Sequence, residues 1–321
     1  MRRVLVTGAA GQIGTELVPA LRRQYPDAVV AASDIRTGDP VLEEGGPFVT
    51  MDVTRPQVVA RCVAEHGVDT IYHLAAILSA TAEDDPEAAY HVNMDGLHNV
   101  LEAARASGCS VFVPSSIAAF GPGTPPEAPQ DAIQRPNTMY GVTKVAGELL
   151  CDYYHHKYGG DVRGVRSPGL ISYMAPAGGG TTDYAVDIFY HALREGEYTC
   201  FLEADTQLDM MYMPDALRAA IELMETDGDS LRHRNAFNIT AMQLTPARLA
   251  EEIRKHIPNF RIHYDVDPKR QAIAESWPRR IDDSAAHEEW GWKPQFGLER
   301  MVEDMLARLG ERLEAATAAP S

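Results

Sequence analysis

Six short β-branched runs, each separated from the next by a longer stretch, constrain the fold of this chain more than any other feature. They are VLVTG (4–8), AVVAASD (28–34), FVTMD (48–52), DTIYHLAA (69–76), SVFVPSS (110–116) and VRGVRSPGLI (162–171). Strands buried on both faces read as nearly continuous apolar runs, and strands alternating with helices predict a parallel sheet. Between them, PQVVARCVAEHG (56–67) and EAAYHVNMDGLHNVLEAARASG (87–108) carry the helical period. Each ends near a glycine, as helices commonly do. The expected fold is α/β, a doubly wound parallel sheet.

After residue 171 the rhythm breaks. YMAPAGGGTT (173–182) has no period and reads as a loop opening a smaller, mostly helical C-terminal lobe. Helices are expected around DYAVDIFYHALREG and PDALRAAIELM, and strands around YTCFLE and FNIT. TPARLAEEIRKHI (245–257) and LERMVEDMLARLGERLEAA (298–316) predict two more helices. At 321 residues the chain suits two domains, taking roughly 150 residues for each. The expected division is 1–171, with 208–240 packing back on it, and 172–321 as the second lobe.

Composition narrows the partners. A formal net charge of −17 argues against nucleic acid and anionic membranes, which are held by Lys and Arg. No apolar run approaches the ~18 residues of a bilayer span. Cys62, Cys109, Cys151 and Cys200 stand alone without CxxC spacing, so neither a disulfide framework nor a metal site is indicated. Met1, Arg2 and Arg3 lead directly into the first run. The expectation is a cytoplasmic protein, with no membrane partner.

The turn GAAGQIG places Gly8, Gly11 and Gly14, with Ala10, Gln12 and Ile13 between them, at the junction of the first strand and first helix. In a Rossmann-type fold such a turn carries a dinucleotide pyrophosphate on the helix N-terminus. Asp34 ends the second strand about twenty residues later, where a carboxylate accepts both ribose hydroxyls and repels a 2′-phosphate. NAD is therefore the expected cofactor, with Ile35 and Arg36 beside the ribose. Asp52 and Val53 are placed to flank the adenine, and the small Leu74-Ala75-Ala76 turn to pass under the cofactor.

In MYGVTK, Tyr140 and Lys144 lie at i and i+4 and project from one helix face. Tyr153 and Lys157 repeat that spacing. The first pair is favoured because Tyr140 starts its helix 24 residues after Ser116, which ends a strand at the ligand-binding edge of such sheets. The chemistry suits alcohol oxidation. A phenol titrates near ~10 and is a poor base unless a cation sits beside it. An ammonium at ~4–5 Å, with an effective dielectric near ~20, supplies roughly 3–4 kcal/mol. The Ser116 hydroxyl can then hold the substrate oxygen against Tyr140.

GAAGQIG, Asp34, HLAA, Asn93 in HVNMDGLHNVLEAA, Ser116, YGVTK and the C-terminal WGWKP together resemble the extended short-chain dehydrogenase/reductase family over essentially the whole chain. Residues 168–224 are similar to the substrate lobe of short-chain-type L-threonine 3-dehydrogenases. The resemblance implies NAD-dependent oxidation of the L-threonine 3-hydroxyl, giving 2-amino-3-oxobutanoate. It also implies a cofactor role for Asn93 and a nicotinamide contact near Leu170. Phe120 stands where the wider family often has tyrosine, and Ser116 where some threonine dehydrogenases have threonine. A zwitterion needs donors for its carboxylate, and Gly178–Gly180 with Thr181, Thr182 and Ser79 can supply them. Asp183 or Asp187 can face the ammonium. The expected assembly is a homodimer.

Two other readings stand beside this one. A nucleotide-sugar epimerase or dehydratase uses the same first lobe but must grip a diphosphate, and 173–212 contains one basic residue, Arg194. A non-catalytic NAD sensor would have no need of Ser116, Tyr140 and Lys144.

Overall fold

The computed structural model describes residues 1–37, 40–174 and 180–318. β1 (Arg3–Thr7), β2 (Val29–Asp34), β3 (Phe48–Thr50), β4 (Thr70–His73) and β5 (Ser110–Phe112) form one parallel sheet with Val162–Arg163. Its order is β3-β2-β1-β4-β5 followed by Val162–Arg163. The chain winds outward from β1 to β3, then crosses back to lay β4 on the other side of β1. That reversal parts the loops after β1 and β4 and leaves a crevice at the carboxyl ends of the strands.

Residue alternation sends each strand into two cores. Val4, Val6, Val30, Ala32, Tyr72 and Phe112 face the first, against Leu17, Val18 and Leu21 of α1 (Gly14–Gln24). Leu5, Ala31, Ile71 and Val111 face the second, against helices Pro56–Glu65, Gly96–Ser107 and Met139–Tyr158. Helix Met213–Glu225 joins the first core through Leu217, Ala220 and Leu223, and Phe237, Ile239 and Trp292 join it too. A separate core gathers Tyr184, Phe189, Leu249, Ile253, Met301, Met305 and Leu309 from the C-terminal helices.

The run 162–171 is not the single strand its composition predicts. It breaks into Val162–Arg163 in the main sheet, Val165–Ser167 beside Ser115–Ser116 and Phe237–Asn238, and Gly169–Ile171 beside Leu208–Tyr212. Two residues cause the breaks. A Cβ at Gly164 would lie 2.1 Å from the Val113 carbonyl oxygen, and Pro168 has no N–H to give a ladder. SVFVPSS splits likewise at Val113 and Pro114. Both splits bring the segments after them, Ser115–Ser116 and the pair Gly169 and Leu170, to the wall of one cavity. The helices Ser79–Asp84, Pro268–Glu275 and Ser284–Trp290 were not legible, being too short for a period to develop. No helix among the described residues is long and apolar enough to cross a membrane.

Glu16, on α1, is buried against the second half of the chain, where the Ser172 hydroxyl donates to its carboxylate. Burial pushes this carboxyl up from 4.5 to about 7, opposed by the Ser172 hydrogen bond and the Arg312 charge. A carboxyl raised on folding contributes stability that is fully present below its unfolded value and lost as pH rises through the folded one. Between pH ~5.5 and ~8 the loss should be about 2 kcal/mol. Glu16→Gln keeps an acceptor for Ser172 and removes the titration. Denaturant unfolding at the two pH values should therefore show the unmodified protein losing more stability than the variant; equal losses would mean that Glu16 does not titrate in this window.

Candidate active site

The crevice begins at the turn after β1. Gly8 holds φ +68°, and a Cβ there would lie 2.5 Å from the Ala75 amide nitrogen. The two loops that flank the crevice thus touch backbone to backbone. At Gly14 a Cβ would lie 2.5 Å from the Ala9 carbonyl oxygen, so this glycine lets α1 start close against the turn. Gly11 differs, because a Cβ there would meet only the Gly8 carbonyl oxygen, at 3.2 Å. Its open side faces a cavity lined by Gly8, Gln12, Ile13 and Gly14, and a Cβ would fill part of that cradle.

Asp34 closes β2 and is almost wholly buried. Its Oδ2 accepts from the Ala10 amide at 3.0 Å and its Oδ1 from the Arg36 amide at 3.0 Å. The Arg36 guanidinium reaches back to the Ala10 carbonyl at 2.7 Å, clamping the glycine turn to the end of β2. Asp34, Ile35, Arg36, Asp52, Val53, Leu74, Ala75 and Ala76 line one continuous depression here. Hydrogen bonds from Thr54 hold the Asp52 carboxyl below its usual range. The far wall is made by Ala88, His91 and Val92. Sequence reasoning singled out Asn93 of this stretch and missed these three, which sit where a helix loosens into a π-helical turn, His91–Asp95.

Asn93 lies in that turn, a geometry that often marks functional sites. Its Oδ1 accepts from the Ile77 amide at 2.8 Å, and its Nδ2 donates to the Ile77 carbonyl and Thr143 Oγ1, each at 3.1 Å. It lines a small cavity behind Lys144 together with His73, and not the depression beside Asp34. His73 is fully enclosed; burial, with the Lys144 charge adding, pushes its imidazole down to about 3, so it is neutral.

Ser116 starts a short helical turn, its Oγ accepting from the Ala118 amide at 3.2 Å. Tyr140 and Lys144 occupy the first turns of helix Met139–Tyr158, whose N-terminus Thr138 caps through the Gly141 amide at 3.1 Å. A Cβ at Gly141 would lie 2.3 Å from the Ala118 carbonyl oxygen, so the glycine after the tyrosine lets this helix dock on the Ser116 turn. Lys144 Nζ donates to the Pro114 carbonyl at 2.8 Å and lies 5.4 Å from the centre of the Tyr140 ring. Tyr153 is half exposed, packs edge-on against Tyr154 and Tyr158, and does not line the cavity.

Ser116, Tyr140 and Lys144 share their cavity with Leu170, Ser79, Gly180, Thr181 and Thr182. Gly178 and Gly179 lie outside the described residues. Thr181 is 2% exposed, and its hydroxyl lacks a hydrogen-bond partner among the described residues. Buried hydroxyls are rarely left so, and a ligand would satisfy this one. Asp183 caps backward, accepting from the Gly180 amide at 2.6 Å. Asp187 is not on the cavity wall; burial, with the Asp183 charge adding, pushes its carboxyl up. Trp277 does reach the wall, from just beyond helix Pro268–Glu275. The only signal for it in the sequence was a lone tryptophan before a proline.

Residues 4–240 match the profile of the NAD dependent epimerase/dehydratase family. An uncharacterized epimerase/dehydratase of Staphylococcus haemolyticus is 51% identical over 316 residues, covering 97% of this chain and 99% of its own length. Among solved structures, the L-threonine dehydrogenase of Clostridium difficile superposes with a TM-score of 0.95 at 54% identity, covering 97% of this chain and 98% of that one. The holo form of a GalE-like L-threonine dehydrogenase from Cupriavidus necator does so with a TM-score of 0.92 at 51% identity, covering 96% and 99%. A glycine cradle beside a buried carboxylate, Asp34, fits a nicotinamide dinucleotide, and the chain belongs to the NAD-dependent epimerase/dehydratase family.

Proposed function

We propose that the protein is an L-threonine 3-dehydrogenase, oxidising the 3-hydroxyl with NAD to give L-2-amino-3-oxobutanoate and NADH. One observation carries this reading: the walls of the cavity holding Ser116, Tyr140 and Lys144 contain small donors, and Lys144 is their only cation among the described residues. A nucleotide-sugar epimerase has to neutralise a diphosphate there. Arg194, the basic residue that could have served, stacks on Tyr190 and does not line the cavity. The high identity to named threonine dehydrogenases over the full chain supports the same reading.

The chemistry follows from placement. Bound NAD supplies the hydride acceptor. Ser116 keeps its proton and donates a hydrogen bond to the substrate oxygen, while Tyr140, as phenolate, takes the proton from that oxygen, acting as general base. The Lys144 ammonium, anchored on the Pro114 carbonyl, stabilises the phenolate. Thr181, Thr182 and Ser79 hold the carboxylate, Gly180, whose amide is taken by Asp183, lines the wall beside them, and Leu170 borders the nicotinamide. Val142, Leu149 and Tyr153 form an exposed apolar stripe on the catalytic helix, which supports assembly as a homodimer.

Tyr140→Phe should leave NAD affinity nearly intact and lower turnover at least ~100-fold, since the ring stays and the base is lost. Tyr153→Phe should be close to neutral. If Tyr153→Phe proves the damaging change, the two pairs have been assigned the wrong way round.

Cofactor preference rests on Asp34. The unmodified protein should favour NAD, and Asp34→Ala should narrow the preference by relieving repulsion of a 2′-phosphate. Steady-state comparison of both cofactors tests this, and equal efficiency in the unmodified protein would rule it out.

For the substrate, NADH absorbance is followed with a panel of amino acids and nucleotide sugars. L-Threonine should be oxidised about 10–200-fold faster than L-serine, which lacks one methyl group. Thr182→Ala should raise the KM for threonine and leave that for NAD little changed. Turnover of a UDP-sugar with none of threonine would replace this reading by the epimerase one.

A further inference from the structure

A second cluster of charge lies directly behind the reacting residues and takes no part in the chemistry above. Glu148 sits one helical turn beyond Lys144 on the same helix and is 6% exposed, and Arg166, in Val165–Ser167, is 7% exposed. They form a two-point ion pair, with Arg166 Nε 3.0 Å from Glu148 Oε1 and Arg166 Nη2 2.8 Å from Oε2. Neighbouring groups bond to both partners. The Ser115 hydroxyl donates to Glu148 Oε1, and Gln134 donates to Oε2 at 2.9 Å. Arg166 Nη1 donates to the Gln130 carbonyl at 2.8 Å and to Asn238 Oδ1 at 3.2 Å, and its guanidinium lies over the Phe120 ring.

The pair joins three separate pieces of the active site. Glu148 belongs to the helix that carries Tyr140 and Lys144. Ser115 precedes Ser116. Arg166 lies just before Pro168, Gly169 and Leu170, which line the same cavity. A buried ion pair is a costly way to gain stability, because desolvation offsets most of the attraction, and such pairs are best kept where they fix one arrangement over others. Glu148 also lines the small cavity behind Lys144. We propose that the buried Glu148–Arg166 pair is the positioning device of this active site, fixing the helix of Tyr140 and Lys144 against the Ser116 strand and keeping the charge behind Lys144 at zero. It rests on the dehydrogenase reading for the activity by which it is measured.

The other titratable groups near the pair are the same in every variant below, so a difference between variants reports the pair itself. His73, across the small cavity, is neutral. On the helix, Cys151 is a buried thiol whose titration burial pushes up. Asp152 is half buried, accepts from Asn235, and is pushed up by burial. Asn93, Asn235, Asn238, Gln130 and Gln134 carry no charge. Lys144 is the cation that the pair faces.

Three variants separate place from charge. Glu148→Asp keeps the charge and shortens the arm; it should lower kcat roughly tenfold, leave the acid limb of the pH profile where it is, and leave NAD affinity within about twofold. Glu148→Gln leaves Arg166 unbalanced near Lys144, which favours the phenolate, so the acid limb of kcat should move to lower pH by roughly one pH unit. Adding Arg166→Met removes the second charge and should return the limb to its original place. NAD affinity, measured calorimetrically, identifies any variant that has failed to fold, and each of the three bears on the proposal without the others. Full kcat in Glu148→Asp, an unmoved limb in folded Glu148→Gln, or a double variant displaced as far as the single one would overturn the proposal. If the unmodified protein does not oxidise threonine, the substrate reading fails separately, and the same profiles are read on whichever alcohol of the panel it does oxidise.

Discussion

The turn after β1 and the turn after β4 approach so closely at Gly8 and Ala75 that no side chain fits between them. Everything on the ligand side of the sheet depends on that contact. It fixes the separation of the two halves of the sheet at their carboxyl ends, and α1 then starts directly from the first turn with its unpaired amides facing the crevice. Asp34 and Arg36 secure the same turn from the other side through Ala10. The cradle is thus set by backbone contacts and a short polar clamp, which leaves Gly11 open toward the cavity. A dinucleotide would find its phosphate and ribose positions already formed.

Charge is handled sparingly around the reacting groups. Among the described residues Lys144 is held by a carbonyl and not by a carboxylate, so its ammonium is left uncompensated where the proposed mechanism forms a phenolate. The nearest imidazole, His73, is kept neutral by burial. The buried carboxylate one helical turn further on, Glu148, is paired with Arg166. In a low dielectric an unbalanced charge at any of these places would compete with the one that matters. Placing two opposite charges side by side gives a rigid joint between helix and strands while adding little field at the tyrosine.

Much of this was legible in the sequence for specific physical reasons. Strands buried on both faces leave unbroken apolar runs, and the glycine turn has a spacing set by three different contacts, so the sheet and its crevice could be read directly. The spacing of Tyr140 and Lys144 was readable as well, although Tyr153 and Lys157 share it; exposure and cavity lining separate the pairs in the structure. What was not legible depended on distant contacts. The division of 162–171 among three sheets follows from Gly164 meeting Val113, fifty-one residues earlier. Trp277 reaches the site from just beyond a short helix with no period of its own, and His91 and Val92 from a π-helical turn that a regular helical period does not foretell. The Glu148–Arg166 pair was invisible because neither residue departs from what a helix or a strand end ordinarily carries.

The family's shared first lobe does not by itself select a reaction, because an epimerase, a dehydratase and a dehydrogenase each need a tyrosine and lysine beside a nicotinamide. Selection falls to the second lobe. Here its contribution to the cavity is the stretch from Gly180 to Asp183 and the ring of Trp277. Small hydroxyls, backbone amides and one indole can grip a compact zwitterion and exclude water from it. Among the described residues they leave no cation for a diphosphate and no partner for the buried Thr181 hydroxyl, which is costly unless a ligand accepts from it or donates to it. The same walls that would bind a sugar nucleotide poorly therefore favour a small polar substrate, and the reaction is restricted by what the second lobe lacks as much as by what the first lobe supplies.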